Sequence, residues 1–237
     1  MWLIPKKQHE LVTIILGDNQ LVLSWLKPKK QLFIVQAYRV VPLAPLDVKN
    51  SYIFNPTVLK SHIHQFLATH KLTNAAIACA LSGPGIMEQL ITHPMATPCK
   101  EDFTLQHTTR LVWDYRYLYP QDDGTFTFYA CGISQQQLLQ YKLLAMAAHL
   151  HLQSLTSKRM ALLTLYRCMQ GNAFRHSQLG AVMQRNNNNI EQLCTVDMVR
   201  RLVTIAPHVS LDIQTEAQNL AAAVGLALAA QYDKGIA

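Results

Sequence analysis

The sequence predicts an α/β fold, and three features predict it. Three runs rich in Val, Ile and Leu stand in succession near the start, Leu11 to Leu16, Leu21 to Leu26 and Leu32 to Val35. An amphipathic helical segment and a short all-apolar run, Ala75 to Leu81, come next, so the order opens βββαβ. An alanine-rich stretch, Thr215 to Gln231, then closes the chain as a helix. Half of the 237 residues are hydrophobic, which suffices for a substantial core in one domain or two joined lobes.

Each element has a local cause. Gly17-Asp18-Asn19-Gln20 is turn chemistry and makes the first two runs a hairpin. Lys27-Pro28-Lys29-Lys30 breaks the chain again before the third strand. Asn55 followed by Pro56 marks a helix start, and Leu59, Ile63, Phe66 and Leu67 recur on one face of that helix. Ala75 to Leu81 reads as a buried strand that leaves into Ser82-Gly83-Pro84-Gly85. Residues 94–124, with three prolines and an aromatic stretch from Leu111 to Tyr119, suggest a separate small subdomain. Thr125 to Cys131 reads as a strand. Ser134 and Gln137 form a capping box for a helix expected to turn Leu139, Leu143 and Met146 inward. A strand at Leu150 to Leu155 and a helix capped by Ser157, carrying Ala161, Leu162, Leu165 and Tyr166, complete this part. From Gly171 to Asn189 the chain is polar and reads as a loop or a deletion scar. A helix at Val196 to Ile205 and an alternating Val209-Leu211-Ile213 strand precede the last helix.

Charge and cysteine usage bound the function. Twenty-one Lys and Arg against 14 Asp and Glu leave +7, which favours an acidic partner or an anionic membrane surface, or simply solubility. Five cysteines at 79, 99, 131, 168 and 194 have no repeated spacing and form no disulfide framework, which suits a reducing cytoplasm. The apolar run Leu11 to Leu16 is too short for an export signal. The run Leu220 to Ala230 falls well below the roughly 20 residues a spanning helix needs, so any membrane attachment is expected through a partner.

No motif with a stated mechanism is present: no GxxxxGK[ST], GxGxxG, HExxH, GxSxG or paired CxxC. His62 and His64 point apart on a helix, whereas His149 and His151 would share one face of a strand and could supply half a metal site, with nothing nearby to complete it. Asp122-Asp123-Gly124 reads as a turn and Cys131 as a structural thiol. Trp113, Tyr115, Tyr117 and Tyr119 alternate along a strand and would line a core or a groove, or stack bases if the chain bound DNA.

Four segments carry a resemblance, in order along the chain. They are Ala75 to Pro94, with its apolar strand and small-residue turn; Leu111-Val-Trp-Asp-Tyr-Arg-Tyr-Leu118; Thr127-Phe-Tyr-Ala-Cys-Gly-Ile-Ser134 with the helix that follows; and Ala223-Val-Gly-Leu-Ala-Leu228. The chain resembles the PilM-like type IV pilus assembly proteins of the actin-like ATPase superfamily, in a reduced form like those encoded with DNA-uptake and competence pili. The resemblance implies an actin-like, ribonuclease H-like lobe over residues 1–92, completed by 156–170 and 215–237. It further implies an inserted α/β subdomain over 93–155 and a much reduced second lobe over 171–214.

The departures from that family matter as much. Its first hairpin carries an acidic phosphate loop, and the corresponding stretch here, Thr13-Ile14-Ile15-Leu16-Gly17, has Ile15 at the acidic position. A second Asp-Gly phosphate hairpin and an adenosine loop are not found between Gln170 and Val196. No catalytic residue, metal or cofactor is therefore expected, ATP included. What the resemblance implies instead is a non-catalytic cytoplasmic adaptor, peripheral at the inner membrane. It would bind the N-terminal tail of a PilN-like inner-membrane protein beside Trp113, Tyr115, Tyr117 and Phe128, unless those rings are ordinary subdomain core. A degenerate nucleotide-binding ATPase or kinase is the first alternative, and a DNA-binding module the second.

Overall fold

The computed structural model describes residues 11–29, 32–72, 75–103, 111–170, 191 and 196–232. Strands β1 (Leu11–Leu16), β2 (Gln20–Lys29) and β3 (Leu32–Pro42) form the expected antiparallel meander, with Leu16 opposite Leu21 across the first hairpin. β3 runs past Val35 because Ala37 and Val41 continue to alternate inward. A small hairpin follows, β4 (Val48–Lys49) and β5 (Tyr52–Ile53), turning through Asn50 and Ser51 at positive φ. Helix α1 (Pro56–Thr69) starts as predicted: the Asn55 side chain accepts a hydrogen bond from Val58 N, and Leu59, Ile63, Phe66 and Leu67 are buried.

β6 (Ala76–Leu81) is buried along its whole length and lies parallel to β1. The chain then builds a second sheet from β7 (Met87–His93), β8 (Leu111–Pro120) and β9 (Phe126–Ser134), in the order β7-β9-β8. Asp122-Asp123-Gly124 is the turn between β8 and β9, with Gly124 at φ 82° and Asp123 accepting from Thr125 N. Helix α2 (Gln135–Ala147), strand β10 (His151–Ser157) and helix α3 (Lys158–Gln170) return the chain to the first sheet. Helix α4 (Val196–Leu202), strand β11 (Val203–Ile205) and helix α5 (Ile213–Tyr232) end it.

Among the described residues the main sheet thus has six strands, in the order β10-β6-β1-β2-β3-β11. Its two faces are covered separately. Val12, Ile14, Leu21, Ile77 and Cys79 pack under α1 and α2, while Ile15, Val22, Val35 and Ala78 pack under α3, α4 and α5. This three-layer arrangement is what an α/β chain needs to bury both faces of a sheet whose central strands are apolar throughout. The three-stranded sheet starts at Met87, and α2 and β10 pack with the main sheet; the expected insert, 93–155, would have included both.

Three expectations are corrected. First, α2 is rotated: Tyr141, Leu144 and Ala145 face the core, and Leu139, Leu143 and Met146 are exposed at 55%, 53% and 69%. The helix carries apolar residues all round, so periodicity could not choose a face. Polar partners chose it, because Tyr141 Oη donates to Ser51 O at 2.8 Å and Gln137 reaches two carbonyls.

Second, Val209 to Ile213 is no strand. Asp212 Oδ1 accepts from Gln214 N and its carbonyl from Glu216 N, which opens α5 at Ile213, while Val203–Ile205 leaves the helix to pair parallel with β3. Third, His149 sits in a turn at φ 54° and only His151 belongs to β10, so the two do not share a strand face. Among the described residues no group of three or more His, Cys, Asp or Glu is placed to hold a metal. The polar stretch 171–189 lies outside the described residues.

Burial also sets an alkaline limit. The Tyr141 phenol is pushed well above its ordinary value of 10.0, and the Cys79 thiol rises from 9.0 to about 12, both by desolvation first. Groups held protonated in the fold and ionised in the unfolded chain stabilise fully below the unfolded values and lose that contribution as pH climbs. The melting temperature is therefore expected to hold to about pH 9 and to fall progressively above it, and Tyr141→Phe should soften that fall. A flat profile to pH 11 in a fluorescence-monitored melt would contradict this.

Candidate functional site

The structure brings Trp113, Tyr115, Tyr117 and Phe128 together. Alternation along β8 sets the first three on one face of the small sheet, and Phe128 lies opposite Tyr117 on β9. Their rings form a layer around Phe128, with centroids 5.7 Å to Tyr115 and 5.6 Å to Tyr117. The layer is roofed, however. Phe103, from the segment before β8, stacks edge-on to Phe128 at 5.3 Å and lies 4.7 Å from Tyr115. Tyr115 Oη donates to Pro98 O, and Lys100 Nζ donates to Trp113 O at 2.7 Å while standing over the indole. Phe128 is 1% exposed. These rings are the core of the subdomain, with Trp113 at its rim.

The opposite face of that sheet positions a different site. Leu118, Tyr119, Tyr129 and Cys131 join the main core beside α3 and α5, which seats the small sheet against the end of the large one. Among the described residues β8 and β10 are edge strands, and both line a common cleft of about 310 Å³. Val112, Asp114 and Arg116 line it from β8 and Ser154 to Ser157 from β10, while Cys131 to Ile133 of β9 line it with Met160 and Thr164 of α3.

Its chemistry is mixed. Arg116 pairs with Asp114 at 3.0 Å at the rim and Lys100 stands 4.0 Å from the same carboxylate. Inside, Ser154 Oγ is buried with no hydrogen-bond partner among the described residues. The Cys131 thiol is held protonated by burial, as a structural thiol would be. Two strand edges, an apolar lining and an unspent hydroxyl make a slot that can accept an extended chain. Ser154 and Arg116 carry no signature in the sequence, since nothing local marks a strand as an edge.

At the first hairpin Ile15 is buried, 3% exposed, in the core under α3 and α5. The nearby Asp18 is engaged structurally: its carboxylate accepts from Asn50 N at 2.8 Å and from Ser51 N at 3.0 Å, fixing the β4–β5 turn. A cleft of about 380 Å³ lies between this hairpin, Ser82 to Pro84 and Lys158. The segment in which a second phosphate hairpin was sought lies outside the described residues, apart from Glu191.

No family model and no curated protein matches the chain. Among solved structures, it is similar to a chain of a PilM–PilN type IV pilus biogenesis complex, at 18% identity and a TM-score of 0.55, over 68% of this chain and 51% of that one. It also matches the cytoplasmic domain of EpsL, an inner membrane component of the type II secretion system of Vibrio cholerae (11% identity, TM-score 0.39, 64% and 57% covered). A third match is the ethanolamine utilization protein EutJ from Carboxydothermus hydrogenoformans (13%, 0.36, 69% and 41%). The chain spans about half the length of the first of these. No described helix is long and apolar enough to cross a membrane. With its antiparallel meander continued by two parallel crossover strands, and with its likeness to the chain from the PilM–PilN complex, the protein has an actin-like fold.

Proposed function

We propose that this protein is a non-catalytic adaptor of type IV pilus assembly that binds the N-terminal cytoplasmic tail of a PilN-like inner-membrane protein in the cleft between β8 and β10. The observation that carries the reading is the cleft itself: among the described residues two strand edges without a strand partner face one slot, with a buried hydroxyl, Ser154 Oγ, that has no hydrogen-bond partner there. The fold is that of a chain from a PilM–PilN type IV pilus biogenesis complex, and the ordered sequence resemblance to PilM-like proteins points the same way. On this reading the protein works in the cytoplasm, held at the inner membrane through its partner and in contact with other assembly proteins.

We further propose that it uses no nucleotide. Ile15 occupies the place of the acidic loop residue, and Asp18 spends its carboxylate on the hairpin turn. The competing reading, a degenerate nucleotide-binding ATPase, draws on the cleft beside Lys158. One titration separates them: a fluorescent PilN-tail peptide added to the purified chain with and without Mg-ATP. Saturable binding that ignores ATP is expected, and Thr164→Trp, which fills the cleft from α3, should weaken it about tenfold or more. Absence of binding, or binding that requires ATP, would sink the adaptor reading.

A further inference from the structure

Helix α2 shows an anomaly that the tail-binding reading does not use. The outward face of a helix packed on a core is ordinarily polar. α2 buries Tyr141, Leu144 and Ala145 against the main sheet, yet it presents Leu139, Leu143 and Met146, at i, i+4 and i+7, to the outside. The β4–β5 hairpin is locked to its flank, because the Gln140 side chain accepts from Ile53 N at 3.0 Å and donates to Ile53 O at 3.2 Å. Phe54 and Leu46, exposed at 64% and 78%, stand at the base of that hairpin, where Phe54 N donates to Asp47 O. Five large apolar side chains are thus exposed on adjoining elements.

The two segments that carry them are charged almost entirely with one sign, and the neighbouring Asp18 carboxylate is taken up by Asn50 N and Ser51 N of the hairpin turn. Residues 43–72 and 134–152 carry Lys49, Lys60, Lys71 and Lys142 and a single acid, Asp47. That acid is withdrawn from the surface: it is buried, and its carboxylate accepts from Ala44 N and Asn55 Nδ2. A second copy of the same face is a poor occupant, since lysines would meet lysines while the two neighbouring carboxylates, Asp18 and Asp47, are already engaged within their own chain. The side chains also protrude, and neither cleft described above is lined by any of the five. Protruding Leu, Met and Phe side chains bordered by lysines suit insertion at the level of acidic headgroups.

We propose that the outer face of α2, with the β4–β5 hairpin, docks directly on an anionic lipid surface. This contact is independent of the tail-binding cleft.

The test is sedimentation of the full chain with vesicles. Binding to phosphatidylglycerol-containing vesicles is expected, together with little binding to pure phosphatidylcholine and a decline as salt rises. Leu143→Glu with Met146→Glu should lower the partition coefficient at least about tenfold. Lys142→Ala should lower it about fivefold. Arg201→Glu, exposed on α4 in the opposite helical layer, should leave it within about twofold. All four positions are exposed, so circular dichroism should be unchanged in each variant. The proposal is overturned by no binding to acidic vesicles at low salt, by equal binding to both vesicle types, or by unchanged partition of the double variant. It is equally overturned if the double variant acts only by splitting a dimer, which would make a second copy the occupant.

Discussion

Replacing Gly225 by alanine is expected to lower the melting temperature by about 10 °C, the reverse of what helix propensity predicts. In an exposed helix the change would gain about 1 kcal/mol. Gly225, however, lies where α5 crosses α3 with backbone against backbone. A Cβ there would stand 1.9 Å from Ala161 O and 2.7 Å from Ala161 C. Neither atom can swing away, since both belong to the main chain of a helix whose Leu162 and Leu165 are fully buried. The two helices must part, opening the contact that Ala221 to Val224 also serve. Overpacking of this kind costs about 3 kcal/mol, and a chain of this length loses about 2–4 °C for each kcal/mol. A thermal melt decides it: an unchanged or raised midpoint would show that the helices are not in such close contact.

Gln137→Ala should cost about 4 kcal/mol, a large effect for one neutral side chain. Gln137 is 2% exposed and all of its polar capacity is engaged inside the fold. Its Oε1 accepts from Ser134 N at 2.8 Å, closing the capping box, and its Nε2 donates to Gly85 O at 3.1 Å and Asn50 O at 3.2 Å. Truncation removes three hydrogen bonds to exposed or half-buried backbone groups, each worth about 1 kcal/mol, and empties the space of a buried side chain. It also unties three segments at once: the start of α2, the turn after β6, and the β4–β5 hairpin. Because Asp18 holds the same hairpin turn from the other side, Gln137→Ala and Asp18→Ala should couple in a double-mutant cycle. Urea midpoints that add within about 0.5 kcal/mol would mean the two anchors act independently.

Much of the architecture was legible because it rests on local chemistry. The meander followed from turn residues between apolar runs, α1 from Asn55-Pro56 and a single apolar face, and α2's start from the Ser134–Gln137 box. In each case turn or capping residues a few positions apart mark where the element begins. The readings failed where the pattern was ambiguous. α2 offered two apolar faces, and hydrogen bonds to Ser51, Asn50 and Gly85, all distant in sequence, selected one. Val203–Ile205 read as helix until the open edge of β3 gave it a partner.

The candidate site divides along the same line. Alternation correctly gathered Trp113, Tyr115 and Tyr117 on one face, but whether that face was a groove or a core depended on Phe103, brought over it by a loop. The cleft had no local signature, since it exists only where β8, which ends at Pro120, comes beside β10, which starts at His151. Patterning of residues along the chain determines which segments become strands and helices and which face each would bury, because those choices are made over a few residues. Which edges meet, which apolar face is left bare, and where a carboxylate such as Asp18 is spent are settled by contacts between distant segments, whose free energy no local window contains.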